Sequence, residues 1–327
     1  DRAGGRLSRD DLQRCRARWD EPITTTYRGY AVFEAPPNSS GHVLLQELNL
    51  IEHFDLAAWG WGSADAIHTL VEAKRLAFAD RERFVADPDF CEVPLTELLS
   101  KAYAAQRVTE IRSDRAAPRV GAGEPRRFAE AAGQTTCFAV VDRAGNAVCQ
   151  LQSLQSFWGS GFVADGTGIL LNNRMTYFRL DPSHPNVLAP GKRVRHTMNP
   201  VMAMRDGELE LVFGTPGADS QVQTNLQIMT GIVDFGMNVA EAVEAPRWRH
   251  LGRDTESTTP YGLCDALIME SRFAPELLAA LAARGQPVER IGPWDAAGSA
   301  VAIRIDRAQR VLHGACDPRA DGYALGC

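Results

Sequence analysis

Two short β-rich runs, Phe138-Ala139-Val140-Val141 and Ala147-Val148-Cys149-Gln150-Leu151, flank Asp142-Arg143-Ala144-Gly145-Asn146, and this spacing constrains the chain more than any other feature. Gly-Asn chemistry between two runs of strand-forming residues predicts a β-hairpin. With the turn centred on Ala144, antiparallel pairing places residues whose numbers sum to about 288 opposite each other, so Thr135 faces Ser153 across the ladder. Alternation sends Thr136 to the opposite face of the strand. Before the hairpin, residues 113–132 turn to Arg, Ala, Gly, Pro and Glu with no period, the profile of an exposed flexible linker.

Other elements follow from caps and periodicity. Residues 63–85 carry Ile67, Leu70, Val71, Ala77 and Phe78 at three- and four-residue spacings, which predicts an amphipathic helix closed by Asp87-Pro88. Ser8 with Asp11 starts a short helix to about residue 19. Residues 24–34 read as one extended segment, followed by a helix over 42–54. Strands are expected at 168–171 and 209–213, a helix from Asp219 or Ser220 to about 233, and another from Asn238 to Pro246. A helix over 274–283 and a hairpin of 299–305 with 311–314 complete the chain. A helical first part and a strand-rich second part fit α+β packing.

Composition excludes several classes. Thirty-five Lys and Arg against 41 Asp and Glu give a net charge of −6, which argues against nucleic-acid binding by bulk charge. Hydrophobic residues make up 45% of the 327, enough for a large core in one domain or two smaller ones. No apolar run approaches the roughly 18 to 20 residues of a membrane span. Seven scattered cysteines without a C-x-x-C pair suggest mostly free thiols, neither a zinc site nor a disulfide framework. The histidines, including His68 beside Glu72, do not fall at metal-ligand spacing, so neither metal nor cofactor is expected. The polar N-terminus leaves localisation open.

The junction of linker and hairpin reads Gly133-Gln134-Thr135-Thr136-Cys137, and here a family resemblance becomes specific. Together with Glu72-Ala73-Lys74, Asp87-Pro88-Asp89-Phe90, Leu170-Leu171-Asn172-Asn173, Pro190-Gly191-Lys192-Arg193, Ala245-Pro246-Arg247 and Asp317-Pro318-Arg319, it resembles the γ-glutamyltranspeptidase family of N-terminal-nucleophile hydrolases. The resemblance implies a four-layer αββα sandwich and self-cleavage between Gln134 and Thr135. It further implies that residues 1–134 form the C-terminal part of a large subunit, ending in a linker over about 113–134. Residues 135–327 would be the small subunit, both parts belonging to one domain. The two subunits would stay paired after cleavage, with a dimer of such pairs as a further option.

Chemistry supports Thr135 independently. A Thr hydroxyl is a weak nucleophile, and making it the first residue of a chain lets its own α-amine take the proton. Read alone, a strand-start Thr is an ordinary β residue; the surrounding motifs single it out. In the family the first Thr of the pair is the nucleophile, and Ser153 corresponds to a Thr that hydrogen-bonds it. Acyl transfer builds charge on a carbonyl oxygen, and N–H groups aimed there contribute about 3 to 4 kcal/mol each. Gly214-Thr215-Pro216-Gly217-Ala218-Asp219-Ser220 is suited to supply them through Gly217 and Ala218. The resembling loop ends in Gly-Gly, so a position needing positive φ would be strained as Ala218.

Substrate-contacting positions depart from the transpeptidase pattern. In γ-glutamyl enzymes a carboxylate after the Asn-Asn pair receives the substrate's ammonium; here that position is Tyr177. A buried ammonium without its partner costs about 2 to 5 kcal/mol. The motif that holds the substrate carboxylate reads His196-Thr197-Met198, and an Asn is replaced by Gln155. Asn173 is a pocket residue or a loop-ordering group, His196 a pocket residue or a capped loop histidine, and Arg247 is read as structural. These positions resemble the acylase and oxamate-amidohydrolase branch. The expected activity is therefore hydrolysis of a small-molecule amide whose acyl group lacks an α-ammonium. A true γ-glutamyltransferase or glutathione hydrolase is the rival, and an inactive relative kept as a binding or scaffold protein is a third reading.

Overall fold

The computed structural model describes residues 7–118, 120, 133–252, 255, 257 and 265–326, excluding the side chains of residues 133 and 134. Most of the expected linker, residues 119 and 121–132, lies outside the described residues.

In chain order, the first elements are α1 (Arg9–Arg14), β1 (Ile23–Tyr27), β2 (Tyr30–Glu34), α2 (Gly41–Ile51), α3 (Leu56–Trp59), α4 (Ala64–Phe84), α5 (Leu95–Leu98) and α6 (Lys101–Arg107). Next come β3 (Gly133–Val141), β4 (Ala147–Ser156), β5 (Val201–Arg205), β6 (Glu208–Gly214), α7 (Ser220–Val233) and α8 (Val239–Glu244). The chain ends with β7 (Trp248–Leu251), β8 (Ala266–Glu270), α9 (Pro275–Ala283), β9 (Val288–Ile291), β10 (Val301–Asp306) and β11 (Val311–Cys316).

Capping chemistry explains the long helix. The Ser63 side chain accepts a hydrogen bond from the Ala66 N–H, starting α4 where the periodicity places it. Helix α2 is buried along its whole length and apolar on most sides, so it occupies the centre rather than the surface. It packs against β1, β2, α4 and α7. Six antiparallel strands in the order β1-β2-β5-β6-β10-β11 form the main sheet. The β3–β4 hairpin packs against β6 and β10. A smaller β7-β8-β9 sheet stands beside α7 and α9.

The architecture is mixed α and β, with helices, main sheet and hairpin as successive layers. Phe138, Val140 and Val148 lie exposed on the hairpin's outer face, and no helical layer covers them among the described residues. Several expectations need correction. Residues 24–34 are not one extended segment but the β1–β2 hairpin, because Arg28 and Gly29 take positive φ and reverse the chain. Residues 168–171 form only an isolated bridge of Leu170 to Val163. Helix α1 stops at Arg14 rather than near residue 19.

The core holds several neutral titratable groups. Burial pushes His42 down to about 3 and His250 well below its usual value, and burial beside Arg174 takes His196 to about 3. Below pH 6.5 the unfolded chain binds protons that these folded histidines refuse, so acid destabilises by up to about 1.4 kcal/mol per pH unit for each. Burial also lifts Glu47 to about 8 and Glu34 well above its usual range. Their neutral forms favour the fold fully below pH 4.5, and that contribution is lost as pH rises, which offsets the histidines between pH 4.5 and 6.5. The urea midpoint is therefore expected to fall several-fold more from pH 4.5 to 3.5 than from 6.5 to 5.5. An unchanged midpoint down to pH 3.5 would contradict this.

Candidate active site

The hairpin register pairs Thr135 with Ser153, as the turn arithmetic predicts. Thr135 Oγ1 donates to Ser153 Oγ at 3.0 Å, and the Gln155 N–H donates to the same oxygen at 3.0 Å. The register shifts between Gln134 and Thr135, leaving Leu154 as the extra residue between Ser153 and Gln155. This bulge re-aims the end of the strand at the bond expected to be cut. Gln155 holds φ at +77°, a conformation that a non-glycine residue adopts at a cost and that clusters at functional sites. Thr136 is exposed on the other face.

Opposite Thr135, β6 runs into the Thr215–Ser220 turn. Thr135, Gly217, Gly298, Phe157 and Tyr323 help line a groove of about 590 Å³. Gly217 has φ +129°, and a Cβ there would lie 2.3 Å from Ser220 Oγ and 3.5 Å from Gly298 Cα. The close approach of the two loops falls at Gly298, φ +105°, where a Cβ would lie 2.8 Å from Thr215 Oγ1 and 3.1 Å from Pro216 O. Ala218 sits at φ +50°, the strained conformation anticipated above, at a cost of roughly 1 to 2 kcal/mol. Among the described residues, the Gly217 and Ala218 N–H groups donate no hydrogen bond, and Gly217 lines the groove.

Of the two expected caps of α7, Asp219 or Ser220, Asp219 holds the N-cap position, but its side chain makes no cap hydrogen bond. It instead accepts from Arg81 Nη1 at 2.5 Å and from the backbone and hydroxyl of Ser257. Despite complete burial, the Arg81 guanidinium and the Ser257 donors hold the Asp219 carboxyl below its usual range. The loop after β6 is thereby tied to α4.

Remaining expected residues divide into two groups. Gln155 is 1% exposed; its Oε1 accepts from Ser156 Oγ, while its Nε2 has no partner among the described residues. Asn173 is a loop-ordering group: Oδ1 accepts from Ser156 N at 3.0 Å, Nδ2 donates to Ser156 Oγ at 2.9 Å, and its N–H reaches Leu154 O. The clasp uses one acceptor site and one of the two N–H donors of the amide. Tyr177, 1% exposed, lies beneath Arg174, whose Cζ is 5.1 Å from the ring centroid. Thr197 is buried beside it. His196 Nδ1 accepts from Met198 N at 3.3 Å, the capped-loop alternative, with its ring neutral.

Other quoted motifs are structural. Arg193 Nη2 meets Asp87 Oδ1 at 2.6 Å, joining two of them. Arg247 Nη1 pairs with Asp317 Oδ2 at 2.7 Å, and Arg319 clasps both Asp317 and Glu270. Cys137 and Cys149 are free thiols beneath Gly214, where an added Cβ would lie 3.0 and 3.2 Å from the two sulfurs. Cys264 and Cys327 lie outside the described residues. Among the described residues, no group of three or more His, Cys, Asp or Glu could hold a metal ion. Sequence reasoning missed Arg81 and Asp219 as partners, which no short-range signal joins across 138 residues, and Arg174 as the cation over Tyr177, which their three-residue spacing in one helical turn could have suggested.

The model of the gamma-glutamyltranspeptidase family matches residues 1–327. The chain belongs to this family. Among its relatives, the glutathione hydrolase-like YwrD proenzyme of Bacillus subtilis is 38% identical over 99% of the chain and 59% of its own length. The acylase ACY 1 proenzyme of Pseudomonas sp. (strain V22) is 37% identical over 98% of the chain and 54% of its own. The chain thus spans little more than half the length of these relatives. Among solved structures, a cephalosporin acylase from Bacillus halodurans matches with a TM-score of 0.87 at 35% identity, covering 98% of the chain and 56% of that protein. These gamma-glutamyltranspeptidase relatives share the fold and include hydrolytic proenzymes.

Because Asp219 is buried against Arg81, neutralising it leaves a guanidinium without its partner. Asp219→Asn is expected to destabilise the protein by about 3 to 5 kcal/mol in urea unfolding. A loss below about 1 kcal/mol would show that the pair does not anchor the loop.

Proposed function

We propose that this gamma-glutamyltranspeptidase relative is an autoprocessing amide hydrolase working through an acyl-Thr135 ester. The observation that carries the reading is the 3.0 Å hydrogen bond from Thr135 Oγ1 to Ser153 Oγ, at a groove that Gly217, with an unspent N–H, also lines. In maturation, Thr135 Oγ1 attacks the Gln134 carbonyl carbon, the Gln134–Thr135 C–N bond breaks, and water hydrolyses the ester. The product has a free amine on Thr135. Residues 135–327 then form the small subunit and residues 1–134 part of the large one, within an αββα sandwich completed by chain beyond these residues.

In turnover the Thr135 amine takes the hydroxyl proton as Oγ1 attacks the substrate carbonyl. The Gly217 and Ala218 N–H groups receive the oxyanion. The proton passes to the departing amide nitrogen, and a water activated by the same amine releases the acid. Ser153 positions the hydroxyl. Tyr177 supplies no carboxylate for an α-ammonium, which favours acyl groups without one. The name of the YwrD relative favours a second reading, glutathione hydrolysis.

Full-length protein is expected to resolve by denaturing mass spectrometry into two species, the smaller beginning at Thr135. Thr135→Ala should remain a single chain, and Ser153→Ala should mature at least tenfold more slowly. Cleavage at another bond, or in Thr135→Ala, would overturn the reading. γ-Glutamyl-4-nitroanilide turned over as efficiently as a plain acyl anilide would favour glutathione hydrolysis.

A further inference from the structure

Two thiols follow the Thr135 and Ser153 pair along the inner face of the hairpin. Alternation puts Cys137 and Cys149 on the same face as Thr135, and the register, Cys137 opposite Leu151 and Ala139 opposite Cys149, makes them diagonal neighbours. Both sulfurs turn toward one point on β6: a Cβ added to Gly214 would lie 3.0 Å from Cys137 Sγ and 3.2 Å from Cys149 Sγ. Gly214 ends β6 just before the Thr215–Ser220 turn, and its lack of a side chain gives the two sulfurs room. Cys149 Sγ also donates to Phe213 O at 3.4 Å.

Access and chemistry meet at this pair. Cys137 lines the same groove as Thr135, and so does Cys316 of β11; all three thiols are free. A hydrogen bond from Cys137 holds the Cys149 thiol below its ordinary range, and the same contact, with burial, raises Cys137. Cys149 is therefore the sulfur nearer to a thiolate, the form that attacks another sulfur. Neither thiol has a part in the acyl transfer described above.

We propose that Cys137 and Cys149 form a reversible disulfide that switches the site off when a peroxide enters the groove. Cys137 Sγ takes an oxygen from hydrogen peroxide: the O–O bond breaks, one water leaves and a sulfenic acid forms. Cys149 Sγ then attacks Cys137 Sγ, the S–O bond breaks and a second water leaves. The two thiols give up two protons and two electrons, and one peroxide becomes two waters. Because Cys137 is held as the thiol, the first step is slow. A disulfide needs Cβ atoms about 3.8 Å apart, closer than diagonal neighbours stand, so closure draws β3 against β4 beside Thr135 and Ser153. A bond strained in this way is readily reduced, which makes the change reversible. Formation of the bond is independent of turnover; its effect on rate rests on the amide-hydrolase reading above.

The test treats full-length, matured protein with millimolar hydrogen peroxide and follows peptide mass and acyl-4-nitroanilide turnover together. Non-reducing peptide maps are expected to show Cys137 joined to Cys149, the pair two hydrogens lighter than the thiols. Turnover should fall about 10- to 100-fold in step with that bond and return with dithiothreitol, as a displaced nucleophile requires. Cys149→Ala should turn over untreated substrate like the parent protein and lose less than about threefold on treatment, since nothing then draws the strands together. Cys316→Ala should still form the bond. A map that joins Cys137 to Cys316, a map with no bond, or the expected bond with unchanged turnover would overturn the switch. An uncut chain before peroxide is added fails the hydrolase reading alone; the map still decides whether the bond forms, and its absence there fails the proposal as well.

Discussion

A single buried ion pair fixes the geometry of the site. Arg81 lies on α4 and Asp219 at the start of α7, and their 2.5 Å contact spans 138 residues of sequence. Taking both charges out of water is costly, and the cost is recovered only when every remaining donor and acceptor is placed. Asp219 also accepts from the Ser257 N–H and hydroxyl, and Arg81 also donates to Thr255 O, which offsets much of that cost. The loop carrying Gly217 and Ala218 is therefore held against the helical layer. Preorganised N–H groups are worth most when nothing must move at the moment of reaction.

Two of the non-glycine residues held at positive φ stand near the site. Gln155 at φ +77° and Ala218 at φ +50° both occupy conformations that glycine would hold more cheaply. One lies two residues after Ser153, and the other follows Gly217 in the loop beyond β6. In both places the surrounding hydrogen bonds over-determine the backbone: Ser156 and Asn173 clasp each other beside Gln155, and Gln221 N–H donates to Ala218 O. Rigidity at the reacting end contrasts with the groove, which is broad and largely apolar where Phe157 and Tyr323 line it.

Much of this was legible in the sequence where the determinants are local. The Gly-Asn turn and the period of two place Thr135 opposite Ser153, and Ser63 places the start of α4. Long-range electrostatics left no such mark. Asp219 looks like a helix cap because its spacing is right for one, but a guanidinium on another helix outcompetes the backbone for its carboxylate. Arg28-Gly29 is a weak turn signal, so β1 and β2 merge into one run when read by composition. Strands β7 and β8 are short and mostly buried, and they lack the alternation that identifies a half-exposed strand, while β5 and β9 span only five and four residues. Asn173 shows that residue type near a site does not reveal which contacts its amide already makes.

The central claim is that the Thr135 hydroxyl carries the acyl group. The most direct test is to quench full-length, matured protein within milliseconds of mixing with an acyl-4-nitroanilide, digest it, and locate the added mass. The account expects the acyl group on the peptide beginning at Thr135, appearing no more slowly than steady-state turnover and lost in water at a rate consistent with it. Turnover with an acyl adduct on another residue, or with no adduct and no burst of nitroaniline under conditions where deacylation limits the rate, would contradict it.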